Sequence, residues 1–166
     1  MSIRLQILQA LTVQLELIAP PDYTNTLSGH VHRGKPAFGY EKASHSFATL
    51  LEPSEVLDIQ PADDYPDRRA GNWRVMLWGV TAGITNHDHP TDDAYALLAD
   101  LQKCIARINE AGRTPGRTPR PLGGLCTGSI VQGRGVVMPP DKEDSRPTAV
   151  CVLPLDIPLI ENLEKL

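Results

Sequence analysis

The run Trp-Arg-Val-Met-Leu-Trp-Gly-Val-Thr-Ala, residues 73–82, leaves the chain few ways to fold. Successive strand residues point to opposite faces, so Trp73, Val75 and Leu77 share one side and Met76, Trp78 and Val80 the other. A strand apolar on both faces belongs in the centre of a sheet and needs cover twice, from helices and from another subunit.

Two segments have the period of a helix. From Ser2, a plausible N-cap, Ile3, Ile7, Leu8, Leu11, Leu15 and Ile18 recur at helical spacing until Pro20-Pro21. Leu5, Val13 and Leu17 fall off that stripe. This helix is therefore apolar on more than one face, which fits either deep burial or a place between the core and a neighbouring subunit. The second helix follows Thr91, its predicted N-cap, and runs to about Glu110. Ala94, Leu97, Leu98, Leu101, Ile105 and Ile108 make one apolar stripe, Asp92 and Asp93 suit the positive helix end, and Gly112 supplies the stop.

The remaining segments are shorter. Val31, Arg33 and Phe38 suggest strand pieces, residues 46–52 a strand stopped by Pro53, and residues 55–67 a long acidic loop. Residues 112–119 repeat Gly-Arg-Thr-Pro twice and lead into Arg120-Pro121, so residues 111–122 are expected to form a mobile basic loop. After it, Gly128, Gly133 and Gly135 interrupt a strand and suggest a bulged or bent hairpin arm. The last strand is expected over residues 148–155, with Pro154 marking an edge or an end. The order helix, strands, helix, strands predicts an α+β fold. In it two main helices cover a mostly antiparallel sheet of about four or five strands, in one domain spanning residues 1–166.

Composition narrows the class. Hydrophobic residues make up 41% and charged residues 22%, which suits a globular core and excludes a disordered or coiled-coil chain. No apolar stretch approaches a membrane span, and no charged-then-apolar leader opens the chain. A formal charge of −4 argues against a generic nucleic-acid binder. Cys104, Cys126 and Cys151 are odd in number and lack CxxC spacing, so neither a disulfide framework nor a zinc ribbon is expected.

Little in the sequence supports catalysis. His30 and His32 could share a strand face and chelate an ion, with His87 and His89, and Asp92 nearby, as a second candidate cluster. A site needs at least three ligands, however, and the His-x-His-x-Asp-His pattern is not met because Arg33 and Gly34 follow His32. Residues 87–93 read more simply as a turn feeding a helix. The chain has no Gly-x-Ser-x-Gly elbow, no P-loop and no dinucleotide fingerprint. No enzyme activity, metal or cofactor is therefore expected. Arg113, Arg117 and Arg120 read as a solvated excursion, or as a basic finger that touches phosphates without reading sequence.

Several segments, in order, resemble the tail terminator (tail completion) proteins of long-tailed bacteriophages. They are Met-Ser-Ile-Arg at the start of the first helix, Val-His-Arg-Gly-Lys-Pro-Ala-Phe-Gly at 31–39 and Phe-Ala-Thr-Leu-Leu-Glu at 47–52. His-Pro-Thr-Asp-Asp-Ala-Tyr-Ala-Leu-Leu-Ala-Asp at 89–100, Gly-Gly-Leu at 123–125 and the final strand complete the set. The Gly-Arg-Thr-Pro repeat is not part of that pattern. The resemblance implies a structural virion protein with a compact α+β fold and no catalytic residues. Such a protein forms a homohexameric ring on the last ring of tail tube protein, stops its polymerisation and presents a surface to head–tail connector proteins. It would reside at the head-proximal end of the tail, and in the host cytoplasm before assembly, with no membrane partner. In such a ring Trp73 and Trp78 are expected at interfaces, and Arg113, Arg117 and Arg120 toward the lumen, where non-specific contact with DNA would follow. The alternatives are a connector or stopper of the phage neck, a small metal-dependent hydrolase using the four histidines, and a monomeric binding module.

Overall fold

The computed structural model describes residues 1–35, 45–53, 58–62, 65–83, 85–140 and 148–162. In chain order its elements are α1 (Ile3–Glu16), β1 (Val31–Arg33), β2 (Phe47–Leu51), β3 (Asp58–Ala62), β4 (Tyr65–Val80), α2 (Asp92–Ala111), a 3₁₀ turn (Leu122–Gly124), β5 (Val131–Gln132), β6 (Val136–Met138) and β7 (Val150–Asn162). The fold is α+β, as expected, with both helices on one face of a mixed sheet. The seven described strands occupy five positions. β2 and β3 line one edge of β4, β5 and β6 line the far edge of β7, and β1 adds to β2 as the parallel pair.

The centre of the sheet is the antiparallel pair β4–β7, in register from Arg68 opposite Asn162 to Val80 opposite Val150. Both strands outrun their predicted lengths. β4 begins eight residues before Trp73. Within the stretch 55–67, expected to be a loop, residues 58–62 form β3 and residues 65–67 open β4, the rest lying outside the described residues. Their polar side chains carry no alternating apolar signal, and backbone pairing with a neighbour forms the strand regardless. β7 continues seven residues past Leu155, and Pro154 marks neither an edge nor an end. The Pro154 carbonyl accepts from Gly133 N–H at 2.8 Å and the Pro158 carbonyl from Thr127 N–H at 3.0 Å, both on the side away from β4. With a period of two, the missing proline N–H groups face that same side, so the β4–β7 ladder loses no donor.

The glycine-rich segment is bulged, as expected, but is not a hairpin. β5 and β6 do not pair with each other as a hairpin; both lie along β7. Between Gln132, opposite Leu155, and Val136, opposite Val152, this edge uses one residue more than β7, which is a bulge around Gly133. The predicted side-chain caps of Ser2 and Thr91 are absent as well. Asp93 instead turns back and accepts from the Thr85 N–H and hydroxyl, at 3.2 and 2.7 Å.

The inner face of the sheet carries the core. Ala48, Leu50, Trp73, Val75, Leu77, Leu153, Leu155 and Ile157 pack against Ile7, Leu11 and Leu15 of α1 and Leu97, Leu101 and Ile105 of α2. The outer face holds a second cluster of Phe47, Val80, Val150 and Val152, flanked by Met76, Trp78 and Met138. No residue of either helix belongs to it.

Candidate interaction surfaces

Exposed apolar side chains lie on two separate parts of the described structure. Along α1, positions 5, 9, 13 and 17 fall in one row about 18 Å long. Leu5, Val13 and Leu17 on it are 41%, 57% and 65% exposed. The helix is therefore not deeply buried; only its other stripe reaches the core. Its outer row is also uncharged, because Arg4 turns away to bind Glu161 at 2.7 Å and lies 5.7 Å from the Trp73 ring centroid.

The second surface is the outer face of the sheet. Cross-strand neighbours build it in rows: Phe47, Val80, Val150 and Met138 in one, Trp78, Val152 and Val136 in the next. Val131, Val136 and Ile160 on this face are exposed, and Arg74 bridges to Asp156 at 2.8 and 3.1 Å among them. Phe47, Val80, Val150 and Val152 at the centre of these rows are buried, so the exposed part of this face is its fringe of Val131, Val136 and Ile160.

The residues predicted from the sequence separate in space. Trp73 is completely buried on the inner face and is removed from the list of interface residues, because the helices take that face. Trp78, half-buried, lies on the outer one. His30 stacks on His45 with centroids 4.8 Å apart, and His32 tilts against Phe47 at 5.7 Å. Burial first, then Lys35 and His30, lower the pKa of His32. His87 and His89 are exposed in a turn where the Asp88 and His89 N–H groups donate to Asn86 Oδ1 at 3.0 and 3.3 Å, so this segment is a helix lead-in. Among the described residues no group of three or more His, Cys, Asp or Glu is placed to hold a metal ion.

Neither the thiols nor the clefts supply an acid–base constellation among the described residues. Burial pushes Cys104 and Cys126 up to about 11 and Cys151 to about 12, so all three stay protonated and inert at neutral pH. An open cleft of about 320 Å³ is lined by Thr24, Asn25, Ser46, Thr81, Thr85 and Asp93, and its one carboxylate is already engaged by Thr85. Sequence reasoning missed Asp100, which is 5% exposed and accepts from Thr24 and Asn25. An acid in mid-helix reads as solvated, and no local signal announces a buried one. Likewise Tyr23 lies between Lys103 and Arg107, both about 5 Å from its ring, while Arg107 binds Asp22 at 2.9 Å.

What the fold defines is an α+β domain with an exposed apolar row on α1 and a second, largely buried apolar cluster on the far side of the sheet, fringed by exposed Val131, Val136 and Ile160. No described helix is long and apolar enough to cross a membrane. No protein-family model matches the chain, and no curated protein does either.

Proposed function

We propose that this chain is a structural subunit that closes into a ring and terminates the tail tube of a long-tailed bacteriophage, providing the surface that joins the head. The observation that carries the reading is two unlike sets of exposed apolar side chains, Leu5, Val13 and Leu17 on the helix layer and Val131, Val136 and Ile160 on the far side of the sheet. A symmetric dimer uses one patch twice, whereas a head-to-tail interface needs two different patches and closes into a ring when its rotation permits. A ring whose two rims differ can bind the tube on one side and refuse a further tube ring on the other. The order of segments resembling tail terminators supplies the phage setting.

Particle images and tail lengths test this. The expected result is a ring of this subunit at the head-proximal end of the tail, and overgrown or headless tails when it is omitted. Normal tail lengths without it, with the subunit bound to portal-proximal partners alone, would move it to the neck as a connector. A solitary chain that neither joins tails nor alters their length would end the reading.

A further inference from the structure

The loop joining α2 to the 3₁₀ turn, residues 112–121, contains only Gly, Arg, Thr and Pro. It folds back on itself instead of running extended. Arg120 N–H donates to the Gly112 carbonyl at 2.9 Å, and Arg117 N–H to the Thr114 carbonyl at 3.1 Å. The two ends of the loop approach so closely that a Cβ on Gly112 would sit 2.5 Å from the Pro121 nitrogen. Arg113, Arg117 and Arg120 are all exposed on this closed finger. Arg113 reaches Glu110 at 3.2 Å in a surface pair of little strength, and Arg117 and Arg120 form no ion pair among the described residues.

Charge along the chain is segregated. Residues 111–140 hold four arginines, the three above and Arg134, and no acid. Since the whole chain carries −4, everything outside that stretch carries −8. An excess of this sign on an acidic protein is a local feature, with the right chemistry for a polyanion.

We propose that the 112–121 finger binds the phosphate backbone of nucleic acid without reading its sequence. Guanidinium forks match phosphate oxygens, and the Thr114 and Thr118 hydroxyls add neutral donors of the kind that contact backbones. A protein partner is a poorer match, because outside proline the finger has no aliphatic or aromatic side chain to form a desolvated interface core. An anionic membrane is a poorer match for the same reason, since stable attachment needs an apolar anchor beside the charges. The finger has no aromatic side chain on which bases could stack. This inference goes beyond the terminator reading and does not depend on it.

Fluorescence anisotropy of the purified chain with short labelled duplexes of two unrelated sequences provides the test. Three phosphate contacts predict a log–log salt slope of about −2.7, which is roughly a 40-fold loss of affinity between about 50 and about 200 mM salt. Both duplexes should bind alike. Arg113→Gln, Arg117→Gln and Arg120→Gln together should remove most of the binding and flatten the slope. Removing two other exposed cations, Arg33→Gln and Lys35→Gln, should leave it. No binding at low salt, equal loss in both variants, or attachment to phosphatidylserine vesicles but not to DNA would each overturn the proposal. Tail lengths assembled with the triple variant separate the two readings, because normal termination together with lost DNA binding leaves the terminator reading intact.

Discussion

Asn25 donates twice to the same oxygen of Asp100, through its backbone N–H at 2.8 Å and its side-chain Nδ2 at 2.9 Å. Thr24 N–H adds a contact to each oxygen, at 3.1 and 3.0 Å. One carboxylate on α2 thereby holds the segment that leads from α1 to β1. Asp100→Ala should lower stability by about 1–3 kcal/mol, because it leaves the Thr24 and Asn25 N–H groups without their acceptor. Urea unfolding reads the shift, and an unchanged midpoint would show that the clamp contributes nothing.

The two stripes of α1 should respond oppositely to substitution. Leu11, fully buried, should cost about 2–5 kcal/mol as Leu11→Ala. The exposed trio changed together, Leu5→Gln, Val13→Gln and Leu17→Gln, should move folding stability by no more than about 0.5 kcal/mol per site. The same trio should abolish self-association in sedimentation velocity at micromolar concentration or on tail tubes. Retained ring formation would exclude this stripe as an interface.

Gly79 lies where β4 passes beneath α2. A Cβ there would meet Cys151 Sγ at 2.7 Å and Leu97 Cδ2 at 2.8 Å. Gly79→Ala should therefore destabilise by about 1–3 kcal/mol through overpacking. Because the clash is with Leu97, Gly79→Ala and Leu97→Ala should be less than additive in a double-mutant cycle.

Thiol titration and alkaline unfolding check the three cysteines. In the folded protein at pH 8 none should react appreciably with a disulfide reagent, and all three should react after unfolding. Their folded pKa values lie above the ordinary thiol value near 9, so the native state retains protons that the unfolded chain releases. Their contribution is fully present below pH 9 and is lost as pH rises toward about 11 for Cys104 and Cys126 and about 12 for Cys151.

His32 acts in the acid direction. Its folded pKa is below 6.5, so the unfolded chain takes up the proton first and stability falls as pH drops below about 6.5. His32→Asn should flatten that part of the profile of melting temperature against pH. An identical slope in the variant would assign the acid limb to other groups.

Local periodicity was enough to read α2 and the heart of β4, since each needs only one apolar stripe or an alternation within a single segment. The surplus Leu5, Val13 and Leu17 were legible too, because they fall off the single stripe that a surface helix turns to its core. Whether that surplus lay in the core or in solvent depended on where α1 docked. The two tryptophans could not be assigned locally, for Trp73 and Trp78 sit on faces of similar hydrophobicity. Docking of both helices on the Trp73 side buried one and left the other half-buried on the opposite face. Backbone pairing likewise made strands of residues 58–62 and 65–72, whose pattern is polar, the first through a local hairpin with β4 and the second also through distant β7, because ladder hydrogen bonds use the backbone and ignore side-chain identity. Closure of the arginine finger and burial of Asp100 have the same origin. Each joins groups that are distant in sequence or hidden in an unremarkable local pattern, and only packing brings them together.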